Sequence, residues 1–483
     1  MSHLTFGYEG SVENIFEDVS FQFDTDWKLG FTGRNGRGKT TFLNLLMGKY
    51  EYRGNISAGV TFDCFPYAVA DGSRPVLEVV SAVAPESKDW EIERELGLLE
   101  IGSEALERPF STLSGGERTR ALLAALFLRS GHFPLIDEPT DHLDMEARST
   151  LAAYLKRKGG FLLVSHDRSF LDGTVDHILS INRANIEIQQ GNFSSWMQNM
   201  ERRNNFELRE NERLRREEKR LTQAARAAKR FSDKAERSKI GSGVPDRGFV
   251  GAQSARLMKR AKSAENRLQK AAEEKKSLLK NVEEAENLKI HPLVYHALRL
   301  LSLEKAAVAY GGREIFPALS FTLERGERLA LLGGNGSGKS SLLRLIRGEA
   351  VPHTGQVTVG SRLSLSYVPQ DTSSLTGDLD AYAQAQGIDG TLFRAILRKL
   401  DFSRAQFEKD MADYSAGQKK KVLIARSLCE RAHVYLWDEP LNYVDVLSRM
   451  QIEALIAEYQ PTMIFTEHDR AFVDAVATKR VRL

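Results

Sequence analysis

Two Gly-rich segments of this chain have the residue types and spacing needed to hold phosphate groups. The first reads Gly33-Arg34-Asn35-Gly36-Arg37-Gly38-Lys39-Thr40, and the second reads Gly333-Gly334-Asn335-Gly336-Ser337-Gly338-Lys339-Ser340. Both fit the pattern G-x-x-x-x-G-K-[ST], in which backbone N–H groups face the phosphates, the lysine reaches the β and γ phosphates, and the hydroxyl binds Mg²⁺. Each follows a strand-like apolar segment and opens a helix-like one, so the sequence predicts two sites for ATP and Mg²⁺.

Each phosphate loop is followed, further along the chain, by an apolar segment that ends in two acids. These pairs are Asp137-Glu138 and Asp438-Glu439. Because ligands bind at the carboxyl ends of parallel strands, the first acid of each pair is a predicted Mg²⁺ ligand. The second acid, Glu138 or Glu439, is predicted to orient or deprotonate an attacking water. Adjacent side chains on a strand point to opposite faces, which predicts different roles for the two acids.

A histidine follows each acid pair at a matching distance. His166 lies 28 residues after Glu138, and His468 lies 29 residues after Glu439, each at the end of an apolar segment. A lone histidine is usually structural, but two at corresponding positions indicate a shared role. We expect both histidines to contact the γ-phosphate.

Between loop and acids, each half contains a short Ser-Gly-rich motif that opens a helix-like segment. The motifs are Leu113-Ser114-Gly115-Gly116-Glu117 and Tyr414-Ser415-Ala416-Gly417-Gln418. The ordered set of phosphate loop, motif, acid strand and histidine resembles the ATP-binding-cassette family across nearly all of residues 1–190 and 297–483. The resemblance implies two α/β P-loop nucleotide-binding domains, in which each signature motif serves the ATP of the opposite cassette. Ser415 would then serve the ATP held by Lys39, and Ser114 the ATP held by Lys339.

The resemblance also implies the roles of individual residues. Tyr8 and Tyr310 match the aromatic residue that stacks on adenine. The implied ATP-binding residues are Tyr8, Gly33, Asn35, Gly36, Gly38, Lys39, Thr40, Thr41, Ser114, Gly115, Gly116, Tyr310, Gly333, Asn335, Gly336, Gly338, Lys339, Ser340, Ser341, Ser415, Ala416 and Gly417. The implied Mg²⁺ ligands are Thr40, Asp137, Ser340, Gln370 and Asp438, the catalytic residues are Glu138, Glu439, His166 and His468, and the cassette-interface residues are Asp144 and Asp445.

The two halves differ at positions that affect hydrolysis. Gln370 occupies the family's glutamine position in the second half, whereas the first half has Tyr67 there. Tyr67 cannot replace an amide beside the metal without rearrangement. The second signature has Ala416 where glycine is usual, which adds a methyl group where backbone approaches phosphate. Both changes affect the site of Lys39, so we expect the site built on Lys339, Gln370 and Ser114 to hydrolyse ATP faster.

Composition limits the architecture and the compartment. The chain has 483 residues, which is too many for one core, since single cores stop growing at roughly 250 to 300 residues. No segment approaches the ~20 apolar residues that span a bilayer, and the N-terminus lacks a signal-peptide pattern, which predicts a soluble, cytoplasmic protein. Cys64 and Cys429 have no metal-site or disulfide spacing, so we expect them to behave as buried small apolar residues.

The segment between the cassettes is strongly basic. Residues 201–289 contain 25 Lys or Arg and 15 Asp or Glu, so the remainder of the chain is net acidic although the whole is only +3. Between Lys219 and Lys262 there are 13 basic and 3 acidic residues. Such a segment predicts a polyanionic partner.

The same segment has the pattern of a helical hairpin. No proline falls between Ser194 and Val244, and a seam of apolar residues at steps of three and four predicts a coiled coil. The seam residues are Leu257, Ala261, Ala264, Leu268, Ala271, Leu278 and Val282, with Lys275 at the position skipped between Ala271 and Leu278. The turn-forming residues 241–248 separate two arms of about 40 residues, each roughly 60 Å long. A charged coiled coil that only tethers two domains is the alternative.

Twin cassettes joined by a basic hairpin, without membrane segments, resemble the ABC-F subfamily over the whole chain. The resemblance implies ribosome binding near the tRNA exit site, with large-subunit rRNA and the exit-site tRNA as partners. The residues expected to contact RNA are Lys229, Arg230, Lys234, Arg247, Phe249, Val250, Arg256, Lys259 and Arg260.

The tip around residues 246–260 resembles that of the antibiotic-resistance branch, which acts against lincosamides, pleuromutilins and streptogramin A. The short gaps from Lys39 to Ser114 and from Lys339 to Ser415, and the end of the chain just after His468, favour that branch.

The predicted organisation is therefore a cassette at 1–193, a hairpin linker at 194–289 with its tip at about 241–251, and a cassette at 290–483, in a monomer. Three alternatives remain open. A housekeeping factor that resolves stalled ribosomes shares the same architecture. A fused ATPase subunit of a membrane transporter would gain nothing from a basic hairpin. A DNA-associated ATPase with a coiled-coil arm normally has that arm inside one cassette.

Overall fold

The computed structural model describes residues 1–8, 14–141, 143–181, 186–237, 259, 262–263, 266–267, 270–271, 288–311 and 313–483. The chain divides into two compact units, one formed by residues 1–196 with 285–483 and one formed by residues 197–284. The predicted boundaries of the cassettes and the linker remain predictions. In the described ranges, no helix is both long enough and apolar enough to cross a membrane.

The first half of the chain folds as a sheet-and-helix cassette. Its strands are β1 Ser2–Phe6, β2 Phe16–Val19, β3 Lys28–Thr32, β4 Arg53–Asn55, β5 Thr61–Phe65, β6 His132–Asp137, β7 Phe161–Val164, β8 His177–Ile181 and β9 Ile186–Gln190. Its helices are α1 Lys39–Leu46, α2 Val76–Val83, α3 Asp89–Leu98, α4 Gly115–Leu128, α5 Met145–Lys156 and α6 Arg168–Thr174, with 3-10 turns at Ser103–Ala105 and Phe110–Thr112.

The main sheet of this cassette is parallel except at one edge. Its strand order is β5-β6-β7-β3-β8-β9, and only β9 runs antiparallel to its neighbour. All four residues of β7 are buried, as expected for a central parallel strand covered by helices on both faces. Phe31 of β3 and Phe42 of α1 pack edge to face in the core with ring centroids 5.2 Å apart, which fixes α1 against the sheet.

The predicted first arm of the linker is a continuous helix. Helix α7 spans Phe193–Arg237, which confirms the helix expected from the proline-free segment. In the predicted second arm, the residues that the structure describes are helical and mostly exposed, at 259, 262–263, 266–267 and 270–271. The tip at about 241–251 lies outside the described residues, so the hairpin as a whole remains a prediction.

The second half repeats the cassette. Its strands are β10 Arg299–Tyr310, β11 Arg313–Glu314, β12 Leu319–Glu324, β13 Arg328–Leu332, β14 His353–Val359, β15 Leu365–Val368, β16 Val434–Asp438, β17 Met463–Thr466 and β18 Lys479–Arg482. Its helices are α8 Lys339–Arg347, α9 Leu379–Ala385, α10 Gly390–Lys399, α11 Arg404–Phe407, α12 Ala416–Cys429, α13 Val446–Tyr459 and α14 Arg470–Val476, with a 3-10 turn at Met411–Asp413.

The main sheet of the second cassette has the same order as the first. It is parallel, with order β15-β16-β17-β13-β18, and every residue of β16 and β17 is buried. A smaller antiparallel sheet places β10 beside β11, β12 and β14, as β1 lies between β2 and β4 in the first cassette. The α/β class and the duplication predicted from the sequence are therefore confirmed.

The two cysteines correct one expectation. Cys64 and Cys429 are free thiols, but each is half-buried rather than buried. Cys64 lies on β5, which is the edge strand of its sheet, and Cys429 is the last residue of α12. Edge positions leave part of a side chain in contact with solvent, whereas the spacing of cysteines says nothing about that.

Candidate nucleotide sites

The two phosphate loops have the same backbone. Gly38 and Gly338 both have φ of 91°, in the left-handed region that favours glycine, and the next residue starts α1 or α8. Among the residues that the structure describes, no side chain caps either helix, so the first backbone N–H groups remain available for an anion. The predicted order of strand, loop and helix is confirmed in both halves.

The loop lysines are buried and held by carbonyl oxygens of their own loops. Lys39 Nζ donates to the oxygens of Gly33 at 2.8 Å and Arg34 at 3.2 Å. Lys339 Nζ donates to the corresponding carbonyls of Gly333 and Gly334, both at 2.9 Å. Burial lowers the pKa of both lysines below its ordinary value. A phosphate at this point would supply the negative charge that a buried ammonium lacks.

Two of the predicted metal ligands, Asp137 and Asp438, are the last residues of β6 and β16, as expected. Thr40 Oγ1 donates to Asp137 Oδ2 at 3.0 Å. In the second cassette, Asp438 Oδ1 accepts from Thr466 at 2.8 Å, while among the described residues its buried Oδ2 has no hydrogen-bond partner. A buried carboxylate oxygen without a donor fits a cation ligand. Both sites thus fit Mg-ATP by the chemistry of their own residues.

The second acid of each pair does not lie on its strand. Strand β6 ends at Asp137 and β16 ends at Asp438. Glu138 and Glu439 follow with φ of 47° and 46°. The prediction that strand alternation separates the two acids was therefore wrong, because a left-handed residue turns the chain out of the strand. The two acids within each pair differ in their contacts instead.

The predicted histidines stand beside these glutamates. His166 Nε2 is 3.3 Å from Glu138 Oε1, and His468 Nε2 is 3.4 Å from Glu439 Oε1. Both histidines are buried, and each lies two residues beyond the end of β7 or β17 rather than on the strand. Burial, followed by the charges of Lys39 and other cations, lowers the pKa of His166 well below its ordinary value.

The surroundings of the two glutamates differ. Gln370 Nε2 and Asn442 Nδ2 both donate to Glu439 Oε2, at 2.8 and 2.7 Å. At the position of Gln370 in the first cassette, the Tyr67 hydroxyl donates to Asp63 Oδ2 at 2.6 Å, and Arg129 pairs with the same carboxylate. Asp63 and Arg129 thus hold the side chain of Tyr67 that replaces the amide.

The pKa values of the two glutamates shift in opposite directions. Burial, reinforced by the negative charges of Asp141 and Asp137, raises the pKa of Glu138 to about 8. Burial also acts to raise the pKa of Glu439, but His468, Lys339 and the Gln370 amide stabilise its carboxylate and lower the pKa to about 2.

The first phosphate loop contacts the opposite cassette. Asn35 Nδ2 donates to the backbone oxygen of Tyr443 at 2.8 Å, and Arg34 lies 3.5 Å from Asp401. A Cβ on Gly417 would lie 2.3 Å from the Tyr443 oxygen and 2.9 Å from Asn35 Nδ2, so only glycine fits here. The second signature helix therefore starts beside the first loop.

The interface aspartates lie between the halves. Asp144 Oδ2 is 3.3 Å from the point that a Cβ on Gly334 would occupy, which places Asp144 beside the second phosphate loop. Asp445 is fully buried and pairs with Lys421 at 2.6 Å. Its negative charge also acts on Lys39 and His166 of the first cassette.

The signature serines cap their helices. Ser114 accepts from Glu117 N at 3.2 Å, and Ser415 accepts from Gln418 N at 3.3 Å, each in a capping box. Ala416 is exposed at the first turn of α12. The assignment of each signature to the ATP of the opposite cassette remains a prediction.

The predicted adenine-stacking tyrosines are partly exposed to solvent. The hydroxyls of Tyr8 and Thr41 are 2.9 Å apart, and those of Tyr310 and Ser341 are 3.1 Å apart. The two tyrosines are 45% and 44% exposed, which leaves ring surface available, and their stacking role remains a prediction.

Sequence reasoning missed the third residue after each glutamate. The first cassette has Asp141 there, which places a negative charge near Glu138, and the second has Asn442, whose amide donates to Glu439. Aligning the two acid strands residue by residue would have revealed the difference, because the copies are in register up to this point.

Most predicted RNA-contacting residues lie outside what the structure describes. Lys259 is described and exposed, and Lys229, Arg230 and Lys234 fall within the bounds of α7 although their side chains are not described. Outside the described residues lie Arg247, Phe249, Val250, Arg256 and Arg260.

Known proteins match both the cassettes and the whole chain. A family model for ABC transporters matches residues 16–141 and 316–442, more than half of the chain. Ribosome protection protein VmlR of Bacillus subtilis (strain 168) is 28% identical over 482 residues, covering 98% of this chain and 85% of that protein. Energy-dependent translational throttle protein EttA of Escherichia coli (strain K12) is 26% identical over 520 residues, covering 96% and 88%.

Solved structures share the fold. An archaeal ribosome recycling factor, aABCE1, solved in complex with the ribosomal stalk protein aP1, superposes with a TM-score of 0.65 at 19% identity, covering 99% of this chain and 87% of that chain. RNase-L Inhibitor gives 0.64 at 19%, covering 100% and 88%. The motifs, the duplicated fold and these matches show that the chain belongs to the ABC transporter family, as a Mg-ATP-hydrolysing protein similar to the ABC-F members.

Proposed function

We propose that the chain closes its two cassettes around two Mg-ATP molecules, each held by residues of both halves. Lys39 and Lys339 bind the β and γ phosphates, while backbone N–H groups of the loops bind them from the helix ends. Thr40 with Asp137, and Ser340 with Asp438 and Gln370, hold Mg²⁺. The ion neutralises phosphate charge when it is bound.

In this proposal, the remaining site residues act on the attacking water and on closure. Glu138 and Glu439 orient the water and take its proton, and His166 and His468 contact the γ-phosphate. The contact of Asn35 with the Tyr443 backbone, 408 residues away along the chain, supports closure of the opposite cassette over the first loop.

The two sites differ in how well they hold the water-activating group. Glu439 accepts two amide hydrogen bonds, whereas the Tyr67 hydroxyl is engaged by Asp63. A catalytic group held in one orientation reacts faster than one that samples several. We infer that the site of Glu439 has the higher turnover and the site of Glu138 the lower.

We propose that the cytoplasmic target of this ATPase is the ribosome near the tRNA exit site, and that binding protects it from antibiotics. The main support for this proposal is the similarity to a ribosome protection protein, in an alignment of 482 positions that covers 98% of the chain. In this proposal, the positive charge of the basic linker binds the phosphates of rRNA, and the linker also reaches the exit-site tRNA. We propose that the protein acts as a monomer, because its own two cassettes can close on each other.

A housekeeping translation factor is the second candidate. The similarity to energy-dependent translational throttle proteins favours it, because those relatives also match over 96% of the chain. That alignment has 520 positions, more than the chain has residues, so those relatives contain segments that this chain lacks. The alignment with the ribosome protection protein has 482 positions, one fewer than the chain has residues, and this supports the resistance proposal in preference.

Antibiotic susceptibility tests this proposal. We expect expression in a sensitive bacterium to raise the inhibitory concentration of a lincosamide, a pleuromutilin or streptogramin A. Substituting Phe249 and Val250 by Ala is expected to abolish that protection, because the proposed tip acts nearest the drug site. ATP hydrolysis by the variant should stay unchanged, and pelleting with ribosomes should persist through the basic residues of the linker.

An antibiotic that binds the small ribosomal subunit serves as the drug control. Its inhibitory concentration should be unchanged by expression of the protein. Unchanged susceptibility to all three classes, together with altered translation of stalled messages, would favour the housekeeping candidate and contradict the resistance proposal.

Salt dependence tests the role of the basic linker. If exposed linker residues bind rRNA phosphates, ribosome affinity should fall steeply with salt, and each contact removed should lower the log–log slope by about 1. We expect K259A/K262A/K270A, which removes three basic residues on one helical face, to weaken binding and flatten the slope. Pelleting across a salt series measures both.

The linker also supplies a matched control. Arg213 lies 3.3 Å from both Glu210 and Glu217, so its charge is already balanced within α7. R213A should leave the salt slope close to that of the unsubstituted protein. Equal slopes for the triple variant and the parent would show that these three lysines do not bind phosphates.

A further inference from the structure

Two amide side chains fix the carboxylate of Glu439. Gln370 Nε2 and Asn442 Nδ2 donate to the same oxygen, Oε2, at 2.8 and 2.7 Å. The other oxygen, Oε1, lies 3.4 Å from His468 Nε2. The side chain of Glu439 is only 10% exposed, so these three neighbours determine its orientation. Asn442 lies on the turn just after β16, three residues beyond Glu439, where it can reach back to the carboxylate.

The first cassette places a different residue at the same point. Asp141 follows Glu138 by three residues, and its carboxylate cannot donate a hydrogen bond when ionised. Tyr67 replaces the other amide, and its hydroxyl donates to Asp63 instead. The Glu138 side chain is 22% exposed, twice the value for Glu439, and its Oε2 accepts from His166 N at 3.3 Å. No amide side chain is seen to donate to Glu138 among the described residues.

We propose that Asn442 is a positioning residue for ATP hydrolysis at the second site, and that Asp141 cannot donate the corresponding hydrogen bond to Glu138 at the first. The amide of Asn442 anchors Oε2 of Glu439, which leaves Oε1 to face the reacting water. The negative charge of Asp141 instead repels the Glu138 carboxylate. This proposal rests on the proposed role of Glu439 as the group that orients the water.

The physical reason is the precision that hydrolysis requires. A glutamate has three rotatable side-chain bonds, and a water-activating oxygen must stay within about 0.5 Å of its productive position. A hydrogen bond to an ionised group is stronger than one between neutral groups. Loss of one such bond should reduce the reactive population by about tenfold.

The test isolates one site at a time. In an E138Q background, only the second site turns over, and N442D is expected to lower kcat by about tenfold. Asp has the shape of Asn but lacks its donor, so KM for ATP, the Kd of a non-hydrolysable ATP analogue and the melting temperature should be unchanged. In an E439Q background, D141N is expected to raise kcat severalfold, because it gives Glu138 the missing donor.

A matched control uses the same substitution elsewhere. Asn55 is exposed on β4, far along the chain from either glutamate, and N55D should leave all four quantities unchanged. An unchanged kcat for N442D, or a loss of kcat that accompanies equal losses in analogue affinity and melting temperature, overturns the role of Asn442. An unchanged kcat for D141N overturns the role of Asp141.

The same experiment separates this proposal from the one on which it rests. If E439Q alone loses turnover but N442D in the E138Q background does not, only the positioning role is wrong. If E439Q alone loses no turnover, then Glu439 does not activate the water and both proposals are wrong.

Discussion

Replacement of Glu138 and Glu439 together by Gln is expected to lower steady-state ATP hydrolysis by at least about a hundredfold. Gln preserves the size of each side chain but cannot take a proton from water. ATP binding should persist, because the phosphate-loop contacts of Lys39 and Lys339 are untouched. The protein should therefore accumulate in its closed form and pellet with ribosomes when ATP is present. Phosphate release and sedimentation through a sucrose cushion measure the two effects.

The lysine variant K39A/K339A is the matched control for the double Gln variant. It should lose hydrolysis as well, but it should also lose ATP-dependent pelleting, because the phosphates are no longer held. Retention of near-normal turnover by the double Gln variant would mean that another group activates the water. Loss of turnover without ATP-dependent pelleting would contradict the ribosome as the target.

Substituting the two glutamates one at a time is expected to give unequal losses. E439Q should remove most of the turnover, and E138Q should remove a minor part, with a difference of about fivefold or more if one or two positioning hydrogen bonds separate the sites. The reason is that Gln370 and Asn442 hold Glu439, whereas Tyr67 leaves Glu138 without the corresponding amide. Initial rates of phosphate release at saturating ATP measure the difference.

A third variant sharpens this comparison. Y67Q in the E439Q background restores an amide to the first site and should raise its residual turnover. The exchange Q370Y in the E138Q background should lower that of the second site. Equal losses for the two single variants would show that the sites hydrolyse alike. No response to Y67Q would show that the missing amide is not what slows the first site.

The sequence predicted the parts of the site that depend on short segments. Gly38 and Lys39 mark the point where a strand turns into a helix, and a left-handed glycine at φ 91° is what that pattern requires. The acid pairs at strand ends could be predicted because apolar segments of this length form central parallel strands. Those features are local, so the spacing of residue types suffices to place them.

Other parts depend on contacts that spacing does not encode. The left-handed backbone of Glu138 and Glu439 breaks the strand at the second acid, and no glycine marks it. The Asp63 carboxylate that accepts from the Tyr67 hydroxyl also pairs with Arg129, 66 residues further along the chain. The pairing of Arg34 with Asp401 joins opposite halves of the chain, which only the folded molecule brings together.

The contact between Asn35 and the backbone of Tyr443 also bears on how the protein is made. Its two partners are 408 residues apart, so a nascent chain contains the first phosphate loop long before the segment that completes its surroundings exists. A chain released between residues 196 and 443 would contain the first phosphate loop but not the opposing segment. In such a product Asn35 would lack its partner in the opposite cassette, so the first nucleotide site would be incomplete until synthesis passes Tyr443.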